Sequence, residues 1–219
     1  MNNKIKNVNK ILIVIYVVTL LYSFYNAFTT NNNSAIGMSF VAILCPFLTP
    51  IVFKILKWKM VDEVMCVNII FMYFASLIGS CLGGYSTSWF DKVVHFSSGF
   101  LACLIGVIIY YYIRKEKKAR DNSDFILLVI FMNCFNMAVA LLWEFYEFMV
   151  LVLFNNDAIR HYTTGVYDSM SDMLLATISG LALTFIYYRY YKNNKNNFLI
   201  NIYESFYEAN IAPKIENKD

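Results

Sequence analysis

The chain has 219 residues, of which 59% are hydrophobic and only 15% charged, with a mean hydropathy of +0.51. A soluble globular domain is nearer about 45–50% apolar and about 25% charged, so the composition excludes a soluble protein. The net charge of +3, from 18 basic against 15 acidic residues, gives no reason to expect a nucleic-acid partner.

A membrane span needs about 20 mostly apolar residues. Six runs meet that length: 11–28, 35–53, 64–84, 93–113, 125–154 and 169–191. The fold class is therefore all-α, a polytopic helical membrane bundle. Connections are short, so residues 1–191 read as a single six-helix domain and 192–219 as a cytoplasmic polar tail. The first run follows Lys4, Lys6 and Lys10, as a signal peptide would. No small-residue cleavage motif comes after it, and Tyr22, Phe24 and Tyr25 do, so it reads as a retained anchor. The fifth run is long enough to tilt or project. In the tail, the apolar stretch 198–203 suits either an interfacial helix or disordered chain.

Basic residues gather on the cytoplasmic side of spans. With both termini inside, sixteen of the 18 Lys and Arg fall there, and only Lys92 and Arg160 fall outside. The expected orientation is N-in, C-in. Tyr110–Tyr112 and Tyr187, Tyr188, Tyr190 and Tyr191 form an inner aromatic belt. Trp89, Phe90, Tyr162 and Tyr167 form the outer one. All five cysteines lie in apolar runs without a CxxC pair, which reads as packing rather than a disulfide or zinc framework.

Three sets of small residues recur at spacings of three and four. They are Ser76, Gly79, Ser80 and Gly83; Ser98, Gly99, Ala102 and Gly106; and Ala176, Ser179, Gly180 and Thr184. Each is expected to form one helical stripe that lets helix backbones approach closely.

The remaining charges are less ordinary. Asp91 and His95 are four apart at the start of span four, Glu144 and Glu147 three apart late in span five, and Asp168 and Asp172 four apart at the start of span six. Asn133, Asn136 and Ala140 extend the Glu144 face, so this polar stripe is expected to point into the bundle. Spans four and six run inward and span five outward. At about 1.5 Å per residue, the three pairs then share a layer roughly 5–15 Å below the outer surface. Six acids stand on that side, the sixth being Asp157, against two bases and with His95 and His161 titratable. Carboxylates in a low dielectric must be paired, hydrated, protonated or bound to a cation.

The bland alternative is capping and pairing: Asp91 and Asp168 near helix starts, with Lys92 and Arg160 as partners. The sharper one makes His95, Glu144, Glu147 and Asp172 catalytic groups or ligands of a divalent cation, with Asp91, Lys92 and Asp168 binding substrate. A three-histidine zinc site is excluded by a count of two His. Nucleophile-elbow, P-loop, zincin and dinucleotide-binding motifs are missing.

The segments WFDKVVHFSSGF, LLWEFYEF and YDSMSDMLLATISG resemble the YjdF-type family of predicted bacterial inner-membrane proteins, a domain of unknown function. More distantly they are similar to VanZ-like proteins, which share an Asp-Lys-x-x-His-Phe segment, a later membrane Glu and an Asp-led final span. The resemblance covers roughly 89–184 and puts Asp91, Lys92, His95, Glu144, Glu147, Asp168 and Asp172 at signature positions. Ala176 stands where the family usually has Asn. The resemblance implies an envelope role in the bacterial plasma membrane. VanZ-like members are associated with reduced sensitivity to the glycopeptide teicoplanin.

Three functions fit these residues. The leading one is an outward-facing acidic/His site that binds or processes a lipid-linked or cell-wall component of the envelope. The others are transport of a cation or small solute, and a scaffold without chemistry. Partners are the lipid bilayer and an envelope component, with no nucleic acid.

Overall fold

The computed structural model describes residues 3–216 and is helical throughout, with no strand among the described residues. The helices are α1 (Asn3–Thr29), α2 (Asn33–Leu44), α3 (Leu48–Ile55), α4 (Asp62–Met72), α5 (Ser88–Arg114), α6 (Asn122–Phe154), α7 (Val166–Asn193), α8 (Phe198–Asn210) and α9 (Ala212–Glu216). Lys218, counted above among the cytoplasmic bases, lies outside the described residues. Six helical segments are long and apolar enough to cross a bilayer, and each overlaps one expected run.

Two of these segments depart from regular α-helix. The second, Asn33–Ile55, is interrupted by a 3-10 turn at Cys45–Phe47. Pro46 opens that turn, where its missing N–H costs nothing. The third continues past Met72 as a π-helix over Tyr73–Cys81. There Leu82 N–H reaches back five residues to the Leu77 carbonyl, at 2.9 Å.

This wider turn overturns one expectation. Ser76, Gly79, Ser80 and Gly83 do not form a single helical stripe, because the period changes and Gly83 lies beyond the helix. Gly83 has a left-handed backbone, φ +78°, which suits glycine and ends the span. The open side of Gly79 faces the Tyr85 ring; a Cβ there would come within 2.7 Å of the ring carbon Cζ.

The chain divides into two compact units: residues up to 94 together with those from 204 onward, and residues 95–203. In the first unit, Tyr16, Ala42, Ile69, Leu77 and Cys81 form an apolar cluster. Polar cross-links accompany it. The Tyr16 hydroxyl donates to the Ala42 carbonyl at 2.7 Å, and the Ser23 and Ser39 hydroxyls meet at 2.7 Å. Helix α8 joins this unit through Phe206, fully buried and edge-on to both Phe53 and Trp58. Asn210 adds hydrogen bonds to the main chain of Lys59 on both its N–H and its carbonyl.

The second unit packs α5, α6 and α7, and here the small-residue stripes lie where the spacing puts them. A Cβ on Gly99 would stand 2.7 Å from the Ala176 carbonyl oxygen and 2.8 Å from its Cα. On Gly106 it would meet Met132 at 3.1 Å. On Gly180 it would meet the amide groups of Asn133 and Asn136 at 2.6 and 2.9 Å. Such close approach is how helices associate in lipid, where burying apolar surface gains nothing.

At the end opposite His95, the α5–α6 turn is held by a polar network. Asp124 accepts from the Tyr110 hydroxyl at 2.8 Å and from the Arg120 N–H at 3.1 Å. It also pairs with Arg114 at 3.1 Å. Glu116 pairs with Arg120 at 2.9 Å. Burial pushes the Glu116 carboxyl above its usual range, against the opposing pull of Arg114. The Tyr203 hydroxyl donates to the carbonyls of Glu116 and Lys117 at 2.9 and 3.0 Å.

Candidate functional site

The polar face of α6 is inward as expected. Asn136 and Glu144 are buried, and Asn133, Ala140 and Glu147 are half-buried, while Leu141, Leu142 and Phe145 between them are exposed. On α7, Asp168, Asp172, Ala176, Ser179, Gly180 and Leu183 form the matching buried face.

Contacts between these helices set their register. The Asn136 side-chain amide donates to the Ala176 carbonyl at 2.6 Å. The Asn133 amide donates to the Thr184 hydroxyl at 2.9 Å. Gly99 of α5 lies against the same Ala176. One turn from this level along each helix stand His95, Asp172 and Ala140. At about 1.5 Å per residue, Glu144 and Asp168 are one turn further still.

The structure brings His95 and Asp172 into direct range. His95 Nε2 lies 3.8 Å from Asp172 Oδ2, with the two side chains 12% and 1% exposed. The pair exists because α5 and α7 touch one turn below it, at Gly99 and Ala176. A larger residue at either place would hold His95 and Asp172 apart. Asp91 is one turn before His95 on α5, on the same face.

Glu144 is 5% exposed, and its Oε2 atom has no hydrogen-bond partner. No other carboxylate on the α6 stripe is so deeply enclosed. Glu147 sits nearer the surface and accepts from the Trp143 indole N–H at 2.8 Å.

The remaining candidates have local partners. Asp168 lies 3.6 Å from the Arg160 guanidinium, and Lys92 lies 3.8 Å from Asp91. Asp157 accepts from the N–H groups of His161 and Tyr162, at 2.6 and 3.0 Å, which closes the α6–α7 turn. His161 is exposed. The capping and pairing roles weighed from the sequence are thus filled by Asp157, Asp168 and Lys92.

A histidine facing a buried carboxylate offers two donors to a cation. It also suits proton transfer, since the imidazole can exchange a proton with the acid beside it. The sequence reading did not single out the Asp124 network at the opposite end. Its signal was present in the acid–base spacing Arg114, Glu116, Arg120 and Asp124.

Six bilayer-length helices, with inward faces of small and polar residues and an outer surface of exposed Leu, Ile, Val and Phe, define a polytopic helical membrane protein. The chain belongs to the family described as "Predicted membrane protein (DUF2238)", whose model matches residues 8–193. This is the YjdF-type family of unknown function that the three segments around His95, Glu144 and Asp172 resemble. No curated protein and no solved structure matches the chain.

Proposed function

We propose that this membrane protein serves the bacterial cell envelope by binding a divalent cation at His95 and Asp172, one turn from the buried Glu144, and through it a lipid-linked or cell-wall component. Asp91 continues the α5 face toward the same end. The observation that carries the reading is His95 Nε2 at 3.8 Å from the buried Asp172 carboxylate, two donors of the kind a divalent cation takes. The basic-residue distribution supports an outward-facing position for this end. The resemblance to VanZ-like proteins supports the envelope role.

In this reading Asp172 and His95 ligate the cation and Glu144 completes its charge balance. A bound divalent ion then offers a positive face to a phosphate or carboxylate of the envelope component. Asp168 with Arg160, and Asp91 with Lys92, orient that component at the rim. The transport reading gains less support. Asn133 and Asn136 would line its path, yet both donate to α7, and Leu128 and Met132 lie fully buried beyond them.

Elemental analysis of protein purified without chelator tests this, alongside His95→Gln, Glu144→Gln and Asp172→Asn. The expected result is a divalent metal close to stoichiometric in the wild type. It should be lost in all three variants at normal membrane abundance, together with an envelope phenotype such as altered glycopeptide sensitivity. A metal-free wild type, or variants with full metal content, overturns the cation site. Loss of membrane abundance in all three isosteres instead supports a scaffold.

A further inference from the structure

At the end of the α6–α7 pair opposite Glu144, the two helices leave an apolar groove of about 380 Å³ on the outer surface. Phe125, Val129 and Ile130 form one wall, and Leu181, Phe185 and Tyr188 the other. The groove lies within two candidate membrane spans, so its surroundings are hydrocarbon. Its exposed rings and branched side chains match an alkyl chain in character.

The groove ends in a basic collar. The Arg189 guanidinium lies over the Phe185 ring, 5.8 Å from its centre, so the cation is anchored to a groove wall. Lys192 Nζ reaches across to Asn122 Oδ1 at 3.2 Å, and Tyr191 OH reaches the same oxygen at 3.1 Å. Tyr191 in turn stacks on Phe125 at 4.7 Å, which fixes these groups beside the groove mouth. Lys118, from the α5–α6 turn, lies 5.2 Å from the Tyr190 ring and bonds to Asn194.

Lys118 Nζ also lies 6.0 Å from the Tyr191 ring, so the three cations are held on neighbouring residues at this end of the groove. The nearby acids are committed elsewhere: Asp121 caps α6 by accepting from the Asp124 N–H at 2.9 Å, and Asp124 takes Arg114.

From this juxtaposition we propose that the α6–α7 groove and its Arg189–Lys192–Lys118 collar form a binding site for a phospholipid of net negative charge. One acyl chain lies between Phe125, Val129 and Phe185. The headgroup phosphate sits among the three cations at the tyrosine belt. A zwitterionic lipid would bring its own ammonium into the same collar and so gain less.

Native mass spectrometry on the full chain tests the site, with added phosphatidylglycerol or phosphatidylcholine of identical acyl chains. Phosphatidylglycerol is expected to be retained and phosphatidylcholine stripped at the same activation energy. At about one kcal/mol for each basic residue near the headgroup, the double variant Arg189→Gln, Lys192→Gln should weaken phosphatidylglycerol binding roughly thirtyfold. Lys57→Gln, in another part of the chain, should leave it unchanged. Leu181→Trp fills the groove and should weaken retention with the collar intact.

Equal retention of the two lipids by the wild type overturns the proposal, and needs no variant to fold. So does undiminished binding in the collar variant. Displacement of the groove by a second copy, seen as a dimer mass that Leu181→Trp abolishes, overturns it in favour of a protein interface.

Discussion

Replacing Gly99 by alanine probes the contact on which the candidate centre depends. The added Cβ would stand 2.7 Å from the Ala176 carbonyl oxygen and 2.8 Å from its Cα. The Ser179 hydroxyl stands closer still and can rotate aside, but ordinary contact begins at 3.4 Å and the two Ala176 atoms are backbone, which cannot. Helices α5 and α7 must separate by roughly 0.7 Å to bring the Ala176 oxygen from 2.7 to 3.4 Å. Overpacking of this kind costs about 1–3 kcal/mol, and the better helix propensity of alanine returns up to about 1 kcal/mol. The net loss of about 1–2 kcal/mol should lower the melting temperature by roughly 2–8 °C in a chain of this size. Gly37, on the exposed side of α2, has nothing within 4 Å of the place a Cβ would take, and it supplies the control. Gly37→Ala should raise the melting temperature by roughly 2–4 °C through propensity alone. Thermal unfolding in detergent, followed by far-ultraviolet circular dichroism at one scan rate, compares the two. If Gly99→Ala melts at or above the wild type, the close α5–α7 approach is refuted.

Further predictions concern other contacts. Asp124→Ala leaves the buried Tyr110 hydroxyl only the main-chain carbonyl at 3.2 Å and removes the Arg114 partner, and should cost about 1–3 kcal/mol, read as a lower melting temperature. Phe206→Ala removes a fully buried ring from between Phe53 and Trp58. It should cost about 3–5 kcal/mol and speed tryptic cleavage at Lys192 and Lys195, monitored by mass spectrometry of the released tail. Asn210→Ala leaves the Lys59 main-chain groups without their side-chain partner, and about 1–3 kcal/mol of stability should go with it. Glu147→Gln keeps an acceptor for the Trp143 indole, so its melting temperature should match the wild type within about 0.5 kcal/mol of stability.

The spans were legible because lipid imposes one rule on every residue: twenty apolar side chains in a row, with backbone groups satisfied internally. Their ends fall within about eight residues of the apolar runs. Breaks inside the spans were less legible. Pro46 marked the 3-10 turn, but a π-helix at 73–81 adds an extra residue per turn without a dedicated residue type, so Gly79 and Gly83 looked like neighbours on one face. Periodicity alone put Glu144 inward and His95 beside Asp172 in depth. It could not say that Glu147 would turn to Trp143, because a residue at the edge of a helical stripe can lean either way. The Asp124 network escaped notice because its members are divided between two helices and the turn that joins them.

Helix α6 also acts as a ruler. Its apolar part begins at Phe125, immediately after the polar cluster of Asp121 and Asp124, and runs to Phe154. About 20 residues are enough to traverse the hydrocarbon, and counted from Phe125 they end at Glu144. The ten residues beyond it, with Leu153 and Phe154 among the most exposed of the helix, extend about 15 Å further. Phe145, Phe148, Val152, Leu153 and Phe154 keep that stretch apolar on its exposed side, so α6 is longer than a straight crossing needs. Such a helix fits a bilayer by tilting or by thickening the lipid around it.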